Sequence, residues 1–231
     1  MFKKEAEWVA NTLQRLAHKG AGPVLNLGSS DLEFRTKEQP WIDALIFAPL
    51  RARGIDVIHV DMREGEGIDM RADIMNPDDL ARLSECAPQI ILCCNLFEHV
   101  ENPKALADAC LKLLAPNGHV VVSVPLSYPY HRDPIDTNLR PTPEELASFF
   151  TQADEKSEMI ESLILKTGSW RDDVAKRPWL LLRPLLRFPF PFLGFARWQR
   201  SMKRLYWLVF PYQVTCAVIA KHVVLTDDRS R

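Results

Sequence analysis

Ile90-Ile91-Leu92-Cys93-Cys94-Asn95-Leu96-Phe97-Glu98-His99-Val100 is the stretch that decides the fold. Its first five residues form an apolar run of the length expected for a buried strand, and a polar segment follows at once. An amphipathic helix begins after the cap residue Asn102, and a second apolar run follows over His119 to Val124. A strand, a helix and a strand in this order predict two parallel neighbours in an α/β sheet. Ligands of such sheets bind at the carboxyl ends of the strands.

Strand and helix patterns alternate along the rest of the chain. Further strands are predicted over 23–28, 56–61, 159–165 and 214–220, and residues 72–75 are predicted to end a short third strand. Helices are predicted over 3–19, 39–52, 77–83 and 143–150. This alternation predicts a doubly wound, Rossmann-like sheet of seven mostly parallel strands with helices on both faces. We expect one domain over residues 1–231, with residues 170–213 forming a basic, aromatic insert or lid before the last strand.

Charge is divided unevenly along the 231 residues, although the net charge is only −1. The segment from Val174 to Thr226 contains nine Lys and Arg residues and no Asp or Glu, so residues 1–173 carry the acidic excess. The five cysteines are odd in number and lack a Cys-x-x-Cys spacing, which favours free thiols over disulfides or a zinc site. No signal peptide or spanning segment is visible, so we expect a cytoplasmic protein. Peripheral attachment to a membrane stays open.

Small polar or acidic residues follow each of the first four predicted strands. Gly28 permits a tight turn, and an acid such as Asp61 can accept the hydroxyl groups of a ribose. Asp73 is placed to reach an adenine amino group. Taken singly, these residues also fit an ordinary turn, a solvated acid and a helix cap, but their recurrence favours one ligand site. The predicted cofactor-binding residues are Asn26, Gly28, Ser29, Ser30, Asp61, Met62, Asp73, Ile74 and Asn95.

A second group of polar residues follows the fourth and fifth strands. Histidine titrates near neutral pH, so the Glu98-His99 pair is suited to orient a ligand or to move a proton, or else to cap the next helix. The loop after the fifth strand is dense in polar and aromatic residues, which is typical of a substrate-facing loop but also of a solvated one. No metal-ligand spacing is evident. The predicted substrate-binding residues are Glu98, Tyr128, Tyr130 and Arg140, and the candidate catalytic residues are His131, Asp133, Asp136 and His99.

Several of these motifs resemble those of the class I S-adenosylmethionine-dependent methyltransferases. Val24 to Gly28 resembles their first motif, Asp61 their second-strand acid, and Asp73-Ile74 the pair beside the adenine. Asn95 to Val100 is similar to their Leu-Glu-His-Val segment, and Leu114 to His119 to their turn before strand five. A His-x-Asp-Pro-x-Asp element over 131–136 is most similar to a branch often assigned to sugars, glycans or small metabolites. Asn26, Ser30 and Asn117 depart from the family pattern.

The resemblance implies S-adenosylmethionine as cofactor. The acceptor that it implies is a hydroxyl or similar nucleophile of a small molecule, sugar or glycan, either free or lipid-linked. His131 is then the first candidate for the general base, oriented by Asp133 or Asp136, and His99 is the second. A catalytically silent protein that binds the cofactor, a membrane or a partner is the alternative.

The segment 174–212 holds ten of the 21 aromatic residues among its arginines and lysines. This composition suits contact with an anionic membrane surface. A lid or a homodimer contact fits it equally well, and nucleic-acid binding is not expected.

Overall fold

A seven-stranded sheet lies at the centre of the computed structural model, which describes residues 1–18, 20, 22–131, 135–190, 192 and 194–222. Its strands are β1 (Val24–Leu27), β2 (Val57–Asp61), β3 (Met70–Arg71), β4 (Ile90–Cys94), β5 (His119–Ser127), β6 (Ser157–Lys166) and β7 (Gln213–Lys221). They lie in the order β3–β2–β1–β4–β5–β7–β6, with β7 antiparallel to both neighbours and the first five strands parallel. The predicted fold class is confirmed.

Three of the helices begin where the sequence places capping residues. Asn76, Asn102 and Thr142 each accept a backbone N–H of the first turn through the side chain, with a proline at the first helical position. The α-helices are α1 (Lys3–Leu16), α2 (Ala48–Ala52), α3 (Pro77–Ser84), α4 (Pro103–Leu113), α5 (Pro143–Thr151), α6 (Trp170–Lys176), α7 (Leu182–Arg187) and α8 (Phe195–Val209). Phe97–His99 and Pro178–Leu181 form short 3₁₀ turns.

Alternate residues of the central strands enter two separate cores. Leu25 and Ile91 lie on one face of the sheet and pack with α3, α4 and α5. Val24 and Leu92 lie on the other face, where α1 and residues 42–50 cover the sheet. Because the strands are buried on both faces, they are nearly continuous apolar runs in the sequence. This doubly wound arrangement leaves the carboxyl edge of the parallel strands for a site.

Two predicted elements differ from the structure. The helix predicted over 39–52 is instead a π-helical segment, Asp43–Phe47, that runs into α2, with a second π-helical segment, Phe34–Glu38, before it. Pro49 has no N–H to donate, which interrupts a regular helical pattern here. The third strand is Met70–Arg71 rather than 72–75, because the backbone N–H of Asp73 donates to Asp79 and turns the chain away from the sheet.

All five cysteines are free thiols, and Cys93, Cys110 and Cys216 are buried. Within the described ranges, no helix has both the length and the apolar character needed to cross a bilayer.

Candidate active site

The loop after β1 folds back onto the end of β2. Gly28 and Ser30 both have left-handed backbone conformations, with φ of 65° and 54°, and glycine adopts this conformation without steric cost. As a result the Ser30 N–H donates to Asp61 Oδ2 over 2.8 Å, and the Ser29 N–H donates to the Val60 carbonyl over 3.0 Å. The structure therefore brings together four of the predicted cofactor-binding residues.

A buried arginine that the sequence analysis did not identify holds this loop. Arg35 is only 2% exposed. Its guanidinium donates to the carbonyl oxygens of Ser29 (3.1 Å), Ser30 (2.5 Å) and Gly67 (2.6 Å). It thus joins the loop after β1 to the loop after β2. No local pattern identifies such a residue, because its acceptors are backbone atoms from two distant turns.

A pocket of about 380 Å³ lies beside β3 at the same edge of the sheet. Met62 and Asp73, both predicted to bind the cofactor, line it together with Arg71, Asp79 and Arg82. Met62 is 64% exposed, which leaves a large apolar side chain facing the solvent at the pocket. Ile74, by contrast, is buried in the core beneath it.

The amides of Asn26 and Asn95 are both bonded within the protein. Asn26 Nδ2 lies 3.1 Å from His59 Nδ1, and burial, followed by the Arg35 charge, lowers the pKa of His59 to about 4. Asn95 Nδ2 donates to Glu5 Oε1 over 2.7 Å. Ser123 Oγ donates to the same oxygen over 2.6 Å, so the buried carboxylate of Glu5 joins α1 to the end of β4 and to the middle of β5. That either asparagine binds a cofactor stays a prediction.

Glu98, His99 and His131 form a cluster at the ends of β4 and β5. One carboxylate oxygen of Glu98 and one ring nitrogen of each histidine all lie within 4.8 Å of one another. His99 Nε2 is 3.9 Å from Glu98 Oε1, while His99 Nδ1 bonds to the carbonyl oxygen of Ile135. The rings of His99 and His131 meet edge to face at 5.5 Å. Two candidate catalytic histidines and one predicted substrate-binding acid are therefore brought together.

Glu98, the acid of this cluster, has a raised pKa. Its side chain is 1% exposed, and Oε2 has no hydrogen-bond partner in the described part of the chain. Burial raises the pKa of Glu98 to about 8, and the charge of Glu5 adds to the shift. The carboxyl is therefore mostly protonated at neutral pH and titrates in the range in which histidine also exchanges protons.

Asp136 stays ionised at the other side of His131. Arg140 donates to both of its oxygens, at 3.1 and 2.7 Å. Burial alone would raise the pKa of Asp136, but Arg140 and the backbone N–H groups of His131 and Asn138 hold it at about 2. His131 Nδ1 lies 3.2 Å from Asp136 Oδ2, so a permanent carboxylate orients the imidazole. Asp133, the other predicted orienting acid, lies outside the described residues.

Aromatic side chains border the cluster. The ring of Tyr128 is 5.5 Å from that of His131 and 4.9 Å from that of Tyr212, and burial raises the pKa of both tyrosines. Tyr130 is exposed. Tyr212 was assigned only to the insert in the sequence analysis, because its contact with Tyr128 depends on the antiparallel pairing of β7 with β5.

Comparison with known proteins identifies the family. Residues 3–161 match the family described as "Methyltransferase domain". The chain belongs to this methyltransferase family. The enzymes of the family use S-adenosylmethionine, and the residues at the sheet edge fit this cofactor, because the Asp61 carboxylate closes β2 and the exposed Met62 offers an apolar surface to a flat ring.

A curated relative and two solved structures are similar to this chain. It is 27% identical over 156 residues to a ubiquinone biosynthesis O-methyltransferase of Psychrobacter arcticus, with 55% of this chain and 59% of the relative covered. Coclaurine N-methyltransferase, solved with N-methylheliamine and S-adenosylhomocysteine, is 15% identical with a TM-score of 0.54 over 94% of this chain and 70% of its own. The MccD protein is 13% identical with a TM-score of 0.51 over 93% and 97%. Both structures agree with the observed fold.

Proposed function

We propose that this methyltransferase transfers a methyl group to a hydroxyl of a small molecule, sugar or glycan. The cluster of Glu98, His99 and His131 is the observation that carries the proposal. Bound S-adenosylmethionine supplies a methyl group that is already activated, whereas a hydroxyl acceptor must lose a proton as it attacks. The two histidines at the carboxyl edge are candidate acceptors for that proton. The likeness to an O-methyltransferase supports the same acceptor atom.

The cofactor would lie along the edge from β1 to β3. Backbone groups of Gly28 to Ser30 would hold its methionine portion, with the loop kept in place by Arg35. Asp61 would accept the ribose hydroxyls, and Met62 with Asp73 would flank the adenine in the 380 Å³ pocket. Two observations support this placement of the cofactor. The Ser30 N–H bonds to Asp61, and the side chain of Met62 is exposed.

His131 is the proposed general base. The ionised Asp136 beside its Nδ1 stabilises the imidazolium that forms when a proton arrives, and the Arg140 pair fixes this carboxylate. His99 is the second candidate, with its ring set by the bond to the Ile135 carbonyl. The proposed acceptor contacts are Glu98, Tyr128 and Tyr130. Arg140, also predicted to bind the acceptor, acts through Asp136. That Asp133 helps to orient His131 is also a proposal.

The test separates cofactor binding from proton removal. We would measure S-adenosylmethionine binding by calorimetry, and then S-adenosylhomocysteine release with matched hydroxyl, amine and carboxylate acceptors. His131→Ala should lower kcat by roughly 10²–10⁴-fold at unchanged cofactor affinity. His18→Ala, an exposed histidine after α1, is the matched control and should keep full activity. Turnover with amines alone, or full activity of His131→Ala, would contradict the proposal.

A catalytically silent protein is the second candidate function. The departures from the family pattern at Asn26 and Ser30 favour it, together with the internal bonds made by the amides of Asn26 and Asn95. Cofactor binding without release of product from any acceptor would support this candidate. A cytoplasmic location, a homodimer and contact of residues 174–212 with a membrane are also proposals, and the chemistry of the cluster requires none of them.

A further inference from the structure

The segment before β7 forms a small helical unit with many exposed apolar side chains. Helix α7 packs against α8, and the turn Pro178–Leu181 packs against α6 and α7. Arg187 donates to the buried Ser201 hydroxyl over 3.0 Å, and Trp198 Nε1 donates to the Phe188 carbonyl over 3.0 Å. These bonds fix the unit internally while its outer side chains face the solvent. The docking face comprises the exposed residues Trp179, Leu182, Leu186, Phe188, Phe192 and Phe195.

The exposure of this face is too large for an ordinary protein surface. Leu186 is 70% exposed and Phe192 76% exposed, and each of the other four side chains is more than half exposed. Exposed apolar side chains concentrated in one segment mark candidate binding sites for proteins or membranes. A lid closed on the body of the protein through this face would bury these side chains, and in this structure they are exposed.

Positive charge accompanies the apolar residues throughout. Arg197, Lys203 and Arg204 are exposed, and among the described residues none of them has an acidic partner within ion-pair distance. A pocket of about 180 Å³ lies within the unit, lined by Arg187, Arg197 and Trp198 among others. Unpaired guanidinium groups beside exposed aromatic rings are suited to phosphate headgroups above a hydrocarbon layer.

We infer that the docking face binds the surface of an anionic phospholipid bilayer. Self-association through this face is the main alternative. It would bring the basic residues of the unit, such as Arg197, Lys203 and Arg204, close to the same residues of a second copy. An anionic bilayer supplies the opposite charge and an apolar layer together. Ring contacts from Trp207 to Tyr212, and from Tyr212 to Tyr128, place the base of the helical unit beside the active-site cluster. The inference concerns the surface alone and does not depend on the acceptor.

Vesicle flotation tests the inference on the full chain. We would compare vesicles of pure phosphatidylcholine with vesicles containing phosphatidylglycerol at about three parts in ten. Binding should be found on the anionic vesicles and should weaken as salt screens the charges. Each of Arg197→Gln and Lys203→Gln should weaken it about fivefold. Leu186→Ser should weaken it about tenfold.

Matched controls distinguish this face from the rest of the surface. Ile160→Ser removes an exposed apolar side chain on β6. Lys37→Gln removes an exposed charge on the segment Phe34–Glu38, outside the helical unit. Both should bind vesicles like the wild type, and quenching of tryptophan emission by brominated lipid should fall in Trp179→Phe. No binding to anionic vesicles, equal loss in the controls, or a dimer that Leu186→Ser dissociates without vesicle binding would overturn the inference. Because cofactor binding is measured separately, failure here is distinguishable from failure of the proposed function.

Discussion

Replacing Glu98 with glutamine should change how the stability of the protein depends on pH. Burial raises the pKa of this carboxyl from its usual 4.5 to about 8. Between these values the folded protein keeps a proton that the unfolded chain has released. The free energy of unfolding therefore falls as the pH rises through this window. The stabilising contribution is fully present below pH 4.5 and is lost as the pH passes about 8.

The magnitude follows from the same shift. One pKa unit corresponds to about 1.4 kcal/mol, so the whole window is worth about 5 kcal/mol as an order of magnitude. Glutamine has nearly the same shape and cannot release a proton. The stability of Glu98→Gln relative to wild type should thus rise with pH by up to that amount. Because every other titrating group is common to both proteins, the difference isolates Glu98.

Urea unfolding at intervals between pH 5 and pH 9 measures this difference. Glu155→Gln, an exposed carboxylate before β6, is the matched control, and its curve should run parallel to that of the wild type. If the curves of Glu98→Gln and wild type also ran parallel over the whole range, Glu98 would not hold a proton in the folded protein. The reasoning from its burial, and from the lack of a hydrogen-bond partner for Oε2 among the described residues, would then be refuted.

Three further substitutions test the sheet edge and its supports. Arg35→Met should lower the free energy of unfolding by roughly 3 kcal/mol in urea titrations, because the carbonyls of two loops lose a charged donor. Asp61→Asn should weaken S-adenosylmethionine binding about tenfold in calorimetry, since hydrogen bonds to a charged acceptor are lost; unchanged affinity would remove Asp61 from the cofactor site. Thr142→Ala should lower the free energy of unfolding by about 1 kcal/mol in urea titrations through loss of the α5 cap, with the m-value unchanged.

Local signals in the sequence predicted most of the secondary structure. The cap at Asn102 and the helix predicted over 143–150 depend on residues within one or two turns, and both agree with the structure. The seven-stranded sheet followed from the alternation of strands with helices. Local signals failed at Asp43–Phe47, where the apolar spacing resembles that of an α-helix but the backbone bonds follow a wider turn.

Contacts between residues that are far apart in the sequence could not be predicted from local signals. Glu5 belongs to the polar start of α1 in the sequence, yet it binds Asn95 and Ser123, 90 and 118 residues away. Arg35 recognises backbone carbonyls, which leave no trace in side-chain patterns. The convergence of Glu98, His99 and His131 could be predicted only in part from the sequence. The parallel pairing of β4 with β5 predicts a shared edge but not which side chains meet there.

The position of β7 between β5 and β6 has a consequence for synthesis on the ribosome. Residues 213–221 pair with both neighbours, and β6 is translated well before them. A nascent chain that has not yet produced the last strand leaves the apolar β5 as an open edge, which is prone to aggregation. Translation of the insert prolongs that vulnerable interval, so chaperones have the longest opportunity to engage β5 while residues 167–212 are being made.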